Sequence, residues 1–221
     1  MKNDYTHIAV ILDRTGSMET IRDDTIGGFN AFLNTQKSQP GLASLTLVQF
    51  DSQDPYEIVY QFKPLAEVPE LTRETFVPRA TTPLLDAIGR GINDLEKSLV
   101  DRTEDERPSR VVMVIITDGL ENASREFRKD QIEKMIKDKQ EESAWQFVFL
   151  SAGLDAIGDA LAIGMPAAAT LAHDRDSHGV GAAWASLSRS VTAYRAGHQE
   201  DISFTDEDRS EQDVEKKRKS E

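Results

Sequence analysis

The chain of 221 residues contains no cysteine. Disulfides, thiol catalysis and cysteine-ligated zinc are therefore excluded. Long apolar runs are also lacking. The first, Ile8 to Leu12, ends at the charged Asp13, and is too short for a signal peptide or a membrane span. The expectation is a cytoplasmic protein with no membrane partner. Positive charge is in short supply: 26 Lys and Arg face 39 Asp and Glu, for a net charge of −13. No basic patch dominates, so a nucleic-acid partner is not expected. Cations and basic protein surfaces suit this sign better. No internal repeat is visible.

What is present supports one core under a polar surface. Hydrophobic residues make up 38% of the chain and charged residues 29%, and the length suits one domain with a tail. We place the domain at 1–198 and the tail at 199–221. The tail holds nine acids and five bases, with only Ile202, Phe204 and Val214 as large apolar residues. Too little apolar surface is available there to offset the entropy of ordering. Disorder is expected, with Ile202 and Phe204 as a possible docking contact. Removing residues 205–221 is expected to change thermal stability little. Lys216 to Lys219 read as part of the solvated tail.

Apolar periodicity alternates between two kinds. Strands are predicted at 8–12, 43–50, 57–62, 111–116 and 146–150, with a weak one at 167–171. Helices are predicted at 18–37, 84–99, 125–140, 155–163 and 179–195. The link between the second and third strands contains Asp54-Pro55, which predicts a hairpin and one antiparallel edge strand. Gly27-Gly28 interrupts the first helix at a cost of about 1 kcal/mol per glycine, and close packing would account for it. Pro83 falls in the first turn of the helix at 84–99, where a missing N–H costs nothing. Continuous apolar strands alternating with helices imply an α/β fold. Its sheet is Rossmann-like, doubly wound, mainly parallel and covered by helices on both faces.

Three short segments carry oxygen-bearing side chains: Asp13-Arg14-Thr15-Gly16-Ser17, Thr81-Thr82-Pro83-Leu84 and Thr117-Asp118-Gly119. The first and third follow directly on strands predicted to be buried. In an open parallel sheet, ligands bind outside the carboxyl ends of strands, where the strand order reverses. A hard cation such as Mg²⁺ takes about six oxygens. Asp13, Thr15 and Ser17 alternate in a tight loop, and Gly16 is expected to permit an unusual backbone turn. Thr82 comes from a second loop and Asp118 from a third, with Gly119 expected to let the backbone leave sharply. The predicted metal set is Asp13, Thr15, Ser17, Thr82 and Asp118.

These residues resemble the metal-ion-dependent adhesion site of von Willebrand factor A-type domains, whose pattern is Asp-x-Ser-x-Ser, then Thr, then Asp-Gly. The resemblance spans about residues 5–196. Thr15 stands where the family usually has Ser, which keeps a hydroxyl and adds a methyl group. Thr82 is chosen over Thr81 because the family's Thr commonly precedes Pro-Leu at a helix start. The resemblance implies a Mg²⁺ or Mn²⁺ site coordinated directly by hydroxyls, with the aspartates often one water away. It further implies an open position that accepts an Asp or Glu of a partner protein. The implied role is a cation-dependent protein-binding adaptor, not an enzyme. Two alternatives stand beside it: a metal-dependent hydrolase using the same site, and a structural or assembly subunit with a vestigial metal.

The histidines supply no convincing base for hydrolysis. His7 precedes the first predicted strand core, at the opposite end from the site, and His198 lies at the tail junction. His173 and His178, with Asp174 and Asp176, read either as a second metal site or as a polar loop capped by Ser177. Arg14, Glu19, Glu121 and Asn122 lie at the rim, either as partner contacts or as ordinary loop residues. Asp51 reads equally as support for the site or as a turn. Trp145 and Trp184 read as core.

Overall fold

A computed structural model describes residues 2–152 and 154–211. Six strands form one sheet: β1 (Lys2–Asp13), β2 (Leu42–Phe50), β3 (Glu57–Pro64), β4 (Pro108–Thr117), β5 (Gln146–Ser151) and β6 (Thr170–Ala172). Their spatial order is β3-β2-β1-β4-β5-β6. All neighbours run parallel except β2 and β3. The predicted antiparallel edge strand is therefore β3. Its residues are half-buried or exposed, none fully buried, whereas β1, β2 and β4 are buried on both faces for most of their length. That difference follows from position: only an inner strand needs apolar side chains on both sides.

Five helices cover the sheet: α1 (Arg22–Lys37), α2 (Leu84–Val100), α3 (Lys129–Ser143), α4 (Leu154–Ala162) and α5 (Ser177–Arg195). Ile8, Val10 and Leu12 of β1 pack with Phe29 and Phe32 of α1 and with Trp184 and Leu187 of α5. The alternate residues Ala9 and Ile11 pack on the other face with Ile88 and Ile92 of α2 and Ile132 and Ile136 of α3. Period-two burial along β1 thus feeds two cores, one per face. Both tryptophans are core residues, Trp184 lying edge-on to Phe29 at a centroid distance of 6.0 Å.

Gly28 explains the interruption of α1. A Cβ there would lie 2.1 Å from the Trp184 ring, so this helix crosses α5 only with no side chain at 28. Gly27 has nothing within 4 Å of the same added atom, and close packing does not account for it. Pro83 is the N-cap residue of α2, one place before the first turn.

The docking contact expected of Ile202 and Phe204 is present, and beyond it residues 205–211 differ from the expectation of disorder. Ile202 and Phe204 are buried in the α1/α5 core. A short helix follows over 206–211, capped by Thr205 and Asp208, whose side chains accept hydrogen bonds from each other's backbone N–H groups. Asp208 pairs with Arg189 of α5 at 2.6 Å, and Arg209 donates to the carbonyls of Thr170, Ala167 and Ala168. Two apolar anchors and charge-to-backbone bonds together hold a segment that composition alone marked as unable to pack. The remainder of the predicted tail, 212–221, lies outside the described residues.

Candidate functional site

The sheet order reverses between β1 and β4. From β1 the chain crosses to β2; from β4 it crosses the other way, to β5 and β6. β1 ends at Asp13 and β4 at Thr117, so the segments 13–17 and 117–119 emerge side by side at the switch point, where loops diverge and leave a crevice. The third segment, 81–82, is brought alongside by backbone pairing. Gly16 donates its N–H to the Ala80 carbonyl at 3.1 Å, and Arg79 donates to the Arg14 carbonyl at 2.8 Å.

All five predicted residues meet there. The hydroxyls of Thr15 and Ser17 are 3.2 Å apart, and that of Thr82 is 3.4 Å from that of Thr15. Ser17 donates to Asp118 Oδ1 at 2.6 Å. Asp13 accepts from Thr15 N at 2.7 Å through Oδ1, and from the Thr117 hydroxyl at 2.6 Å through Oδ2. Asp13, Thr15, Thr82 and Asp118 are buried. Burial pushes the Asp13 carboxyl up to about 7 and raises that of Asp118 above its ordinary value. Two carboxyls are thus buried with no basic side chain bonded to either, an arrangement that a cation would relieve.

Three observations fit a divalent cation. Asp118 Oδ2 is buried and has no hydrogen-bond partner. A Cβ added to Gly119 would lie 3.4 Å from the Thr82 hydroxyl and 3.7 Å from that of Ser17, so the absent side chain keeps open the space onto which the hydroxyls face. Mg²⁺–oxygen bonds of about 2.0 to 2.1 Å at right angles put neighbouring ligand oxygens roughly 2.8 to 3.0 Å apart. The hydroxyl spacings of 3.2 and 3.4 Å are a few tenths of an ångström wider, a gap that small side-chain rotations close.

The two glycines work differently from expectation. Neither Gly16 nor Gly119 has a positive φ. Gly119 leaves space beside the Thr82 and Ser17 hydroxyls. The unusual backbone sits instead at Ala80, with φ +59°, two residues before Thr82. A non-glycine residue in the left-handed region costs of order 1 kcal/mol or more and persists where surrounding bonds over-determine it. Here the bond from Gly16 and the pairing of Ser52 with Thr81 supply that constraint.

Sequence reasoning missed Thr117, which orients Asp13 and also accepts from Gly119 N at 3.1 Å. Its position beside Asp118, at the end of a buried strand, was the available signal. Arg175 was missed as well: it donates to the carbonyls of Asp118 and Ala152 and so ties the β4 and β5 ends together. Asp51 supports the site. Fully buried, it accepts from Arg14 at 2.7 Å and Arg79 at 2.9 Å, thereby joining the loops that present Thr15 and Thr82. Arg14 is consequently a buried structural residue, not a rim contact. Glu121 accepts from the backbone of Leu85, Ala123 and Ser124, and Glu19 is exposed beside Arg22.

Among the described residues, no group of three or more His, Asp or Glu side chains is placed to hold an ion. His173 is buried with Nδ1 against the Asp174 carbonyl. The helix cap is Asp176, which accepts from Gly179 N at 2.9 Å, and Ser177 is the first residue of α5. His7 lies within β1, stacked on Phe62 at 3.7 Å.

This architecture, with one antiparallel edge and a crevice at the β1/β4 switch point, is the von Willebrand factor A-like fold. Solved structures share it. The von Willebrand factor type A protein from Catenulispora acidiphila superposes with a TM-score of 0.59 at 11% identity, over 86% of this chain and 43% of that one. Proximal thread matrix protein 1 from the mussel byssus, with a zinc-occupied MIDAS motif, gives 0.57 at 13% identity, over 85% and 46%. Manganese-loaded TRAP protein of Plasmodium vivax gives 0.54 at 15% identity, over 78% and 70%. The chain thus spans less than half the length of the first two. No protein-family model and no curated protein matches the sequence.

Proposed function

We infer that this chain is a divalent-cation-dependent protein-binding domain of the adaptor type. Thr15, Ser17 and Thr82 hold Mg²⁺ or Mn²⁺ through their hydroxyls, and Asp13 and Asp118 supply the balancing charge. The observation that carries this reading is the convergence of the Thr15, Ser17 and Thr82 hydroxyls beside the space that Gly119 leaves open, next to Asp118, whose buried Oδ2 has no partner among the described residues. The metal-loaded neighbours support it: one bears manganese, and another bears zinc in a motif of the same name.

The bound cation supplies a localised positive charge that an anionic side chain can approach. This chain's own residues do the rest. Hydroxyl ligands are neutral, so they leave more of the cation's charge available than carboxylate ligands would. Both oxygens of Asp13 are engaged in holding Thr15 and Thr117, which supports reading it as an orienting group. A partner Asp or Glu fits the remaining demand for oxygen. A chain of net charge −13 has no general attraction for an acidic surface, so the attraction must be local. The proposed location is the cytoplasm, which the lack of cysteine fits. Among the described residues no helix is long and apolar enough to cross a membrane.

The test is a pull-down with Mg²⁺ and with chelator, using wild type and Asp13→Ala side by side. Partners retained only by wild type with Mg²⁺ are expected. Retention that ignores both chelator and substitution contradicts the reading.

A further inference from the structure

Beside the hydroxyl cluster lies a polar cleft of about 510 Å³. Thr81 and Pro83, which flank Thr82, line it, as do Ser52, Asn122 and Arg125. It is continuous with the site through Asn122: the Asn122 side-chain oxygen accepts from Thr82 N at 2.9 Å, and its backbone N–H donates to the Thr82 carbonyl at 3.1 Å.

Each side-chain acceptor in this cleft already takes a hydrogen bond. Asp86 accepts from the backbone N–H groups of Arg125, Glu126 and Phe127. Glu126 is paired with Arg90. The Asn122 oxygen is taken by Thr82, and the Ser52 hydroxyl oxygen accepts from Thr81 N at 3.2 Å. The uncommitted groups are donors: the Asn122 side-chain NH₂, the Ser52 O–H and the Arg125 guanidinium. Arg125 is exposed, and no side-chain hydrogen bond or ion pair joins it to another described residue. An exposed guanidinium without a partner is suited to pairing with a carboxylate.

We propose that this cleft binds a second acidic side chain of the partner, so that recognition requires two acids on one peptide segment. One meets the cation and the other meets Arg125 and Asn122. This rests on the cation reading above and adds a specificity element to it. Because Thr81 adjoins Thr82, the two acids stand within a few residues of each other in the partner.

The experiment is selection of a random 12-residue peptide library on the full chain in Mg²⁺, followed by affinity measurement of enriched peptides with each acid changed to its amide. Chelator-sensitive peptides with two acids at a fixed spacing are expected. Arg125→Ala is expected to cut their affinity about tenfold, the usual scale for one charge-assisted bond, and to abolish the effect of amidating the second acid. Arg125→Glu is expected to exchange that acid for Lys or Arg in a fresh selection. Chelator-sensitive peptides with a single essential acid, indifferent to Arg125, overturn this inference and leave the cation reading standing. Enrichment that chelator does not affect, or no chelator-sensitive enrichment, overturns both.

Discussion

At the end of β4, three consecutive residues have three jobs. Thr117 orients Asp13, Asp118 offers a free oxygen, and Gly119 leaves room. Substitutions should separate these roles. Asp13→Ala, Thr82→Ala and Asp118→Ala are each expected to weaken Mg²⁺ or Mn²⁺ binding at least tenfold in titration calorimetry, with circular dichroism unchanged. Thr117→Val, which removes only the orienting hydroxyl, is expected to cost about 10- to 100-fold, the range for groups that orient ligands. Unchanged affinity in all four variants would exclude the site. At the opposite end of β1, His7 is fully buried, its Nε2 has no partner, and burial, helped by Arg102, lowers its pKa to about 3. Unfolded histidine titrates near 6.5. Between these values the unfolded chain binds the extra proton. His7 therefore costs nothing above pH 6.5, and stability falls as pH drops from 6.5 toward 3, by up to about 1.4 kcal/mol per pH unit. Urea unfolding at pH 7 and pH 4.5 should show a smaller loss for His7→Phe than for wild type; equal losses would mean that His7 does not titrate on unfolding.

At the scale of elements, α1 and α5 touch through the missing side chain of Gly28. Gly28→Ala is expected to destabilise by about 1 to 3 kcal/mol through overpacking against Trp184. Gly27→Ala, whose added methyl meets nothing, is expected to stabilise by up to about 1 kcal/mol through helix propensity. Chemical denaturation of the two variants reads both signs, and a like effect at both positions would contradict the packing account. The elements themselves were legible because their periods differ: Leu84, Ile88, Ile92 and Leu95 repeat at helical spacing, and Val111 to Ile116 run unbroken as a strand buried on both faces must. Asp13 and Asp118 drew notice because they stand at the ends of such strands, whereas Thr82, in a loop before α2, was picked out by the Thr-Pro-Leu pattern of the resemblance. The roles of Gly16 and Gly119 were not, because sequence cannot tell a glycine kept for its φ from one kept for space. Arg14 looked like a rim residue because its partners, Asp51 and Glu57, are far away in the chain. The same holds for Asp208, whose partner Arg189 lies on another helix.

On the scale of the whole molecule, the C-terminal segment closes the α1/α5 side. Residues 212–221 contain Val214 as their one large apolar residue, so by composition their deletion is expected to change the thermal midpoint little. Deleting 205–221 also removes the Asp208–Arg189 pair and the bonds from Arg209 to the β6 end. A loss on the order of 1 to 2 kcal/mol, or several degrees in scanning calorimetry, is expected for a chain of this size. Equal midpoints for both truncations would show that residues 205–211 contribute nothing. The sheet, meanwhile, acts as a rigid frame that sets three loops against each other at one rim, and the proposed function depends on that convergence being a cation site. The most direct measurement is an anomalous difference map from crystals of the full chain grown with Mn²⁺. The account predicts one dominant peak within bonding distance of the Thr15, Ser17 and Thr82 hydroxyl oxygens. A map with no peak there, or with its strongest peak elsewhere on the chain, would contradict it.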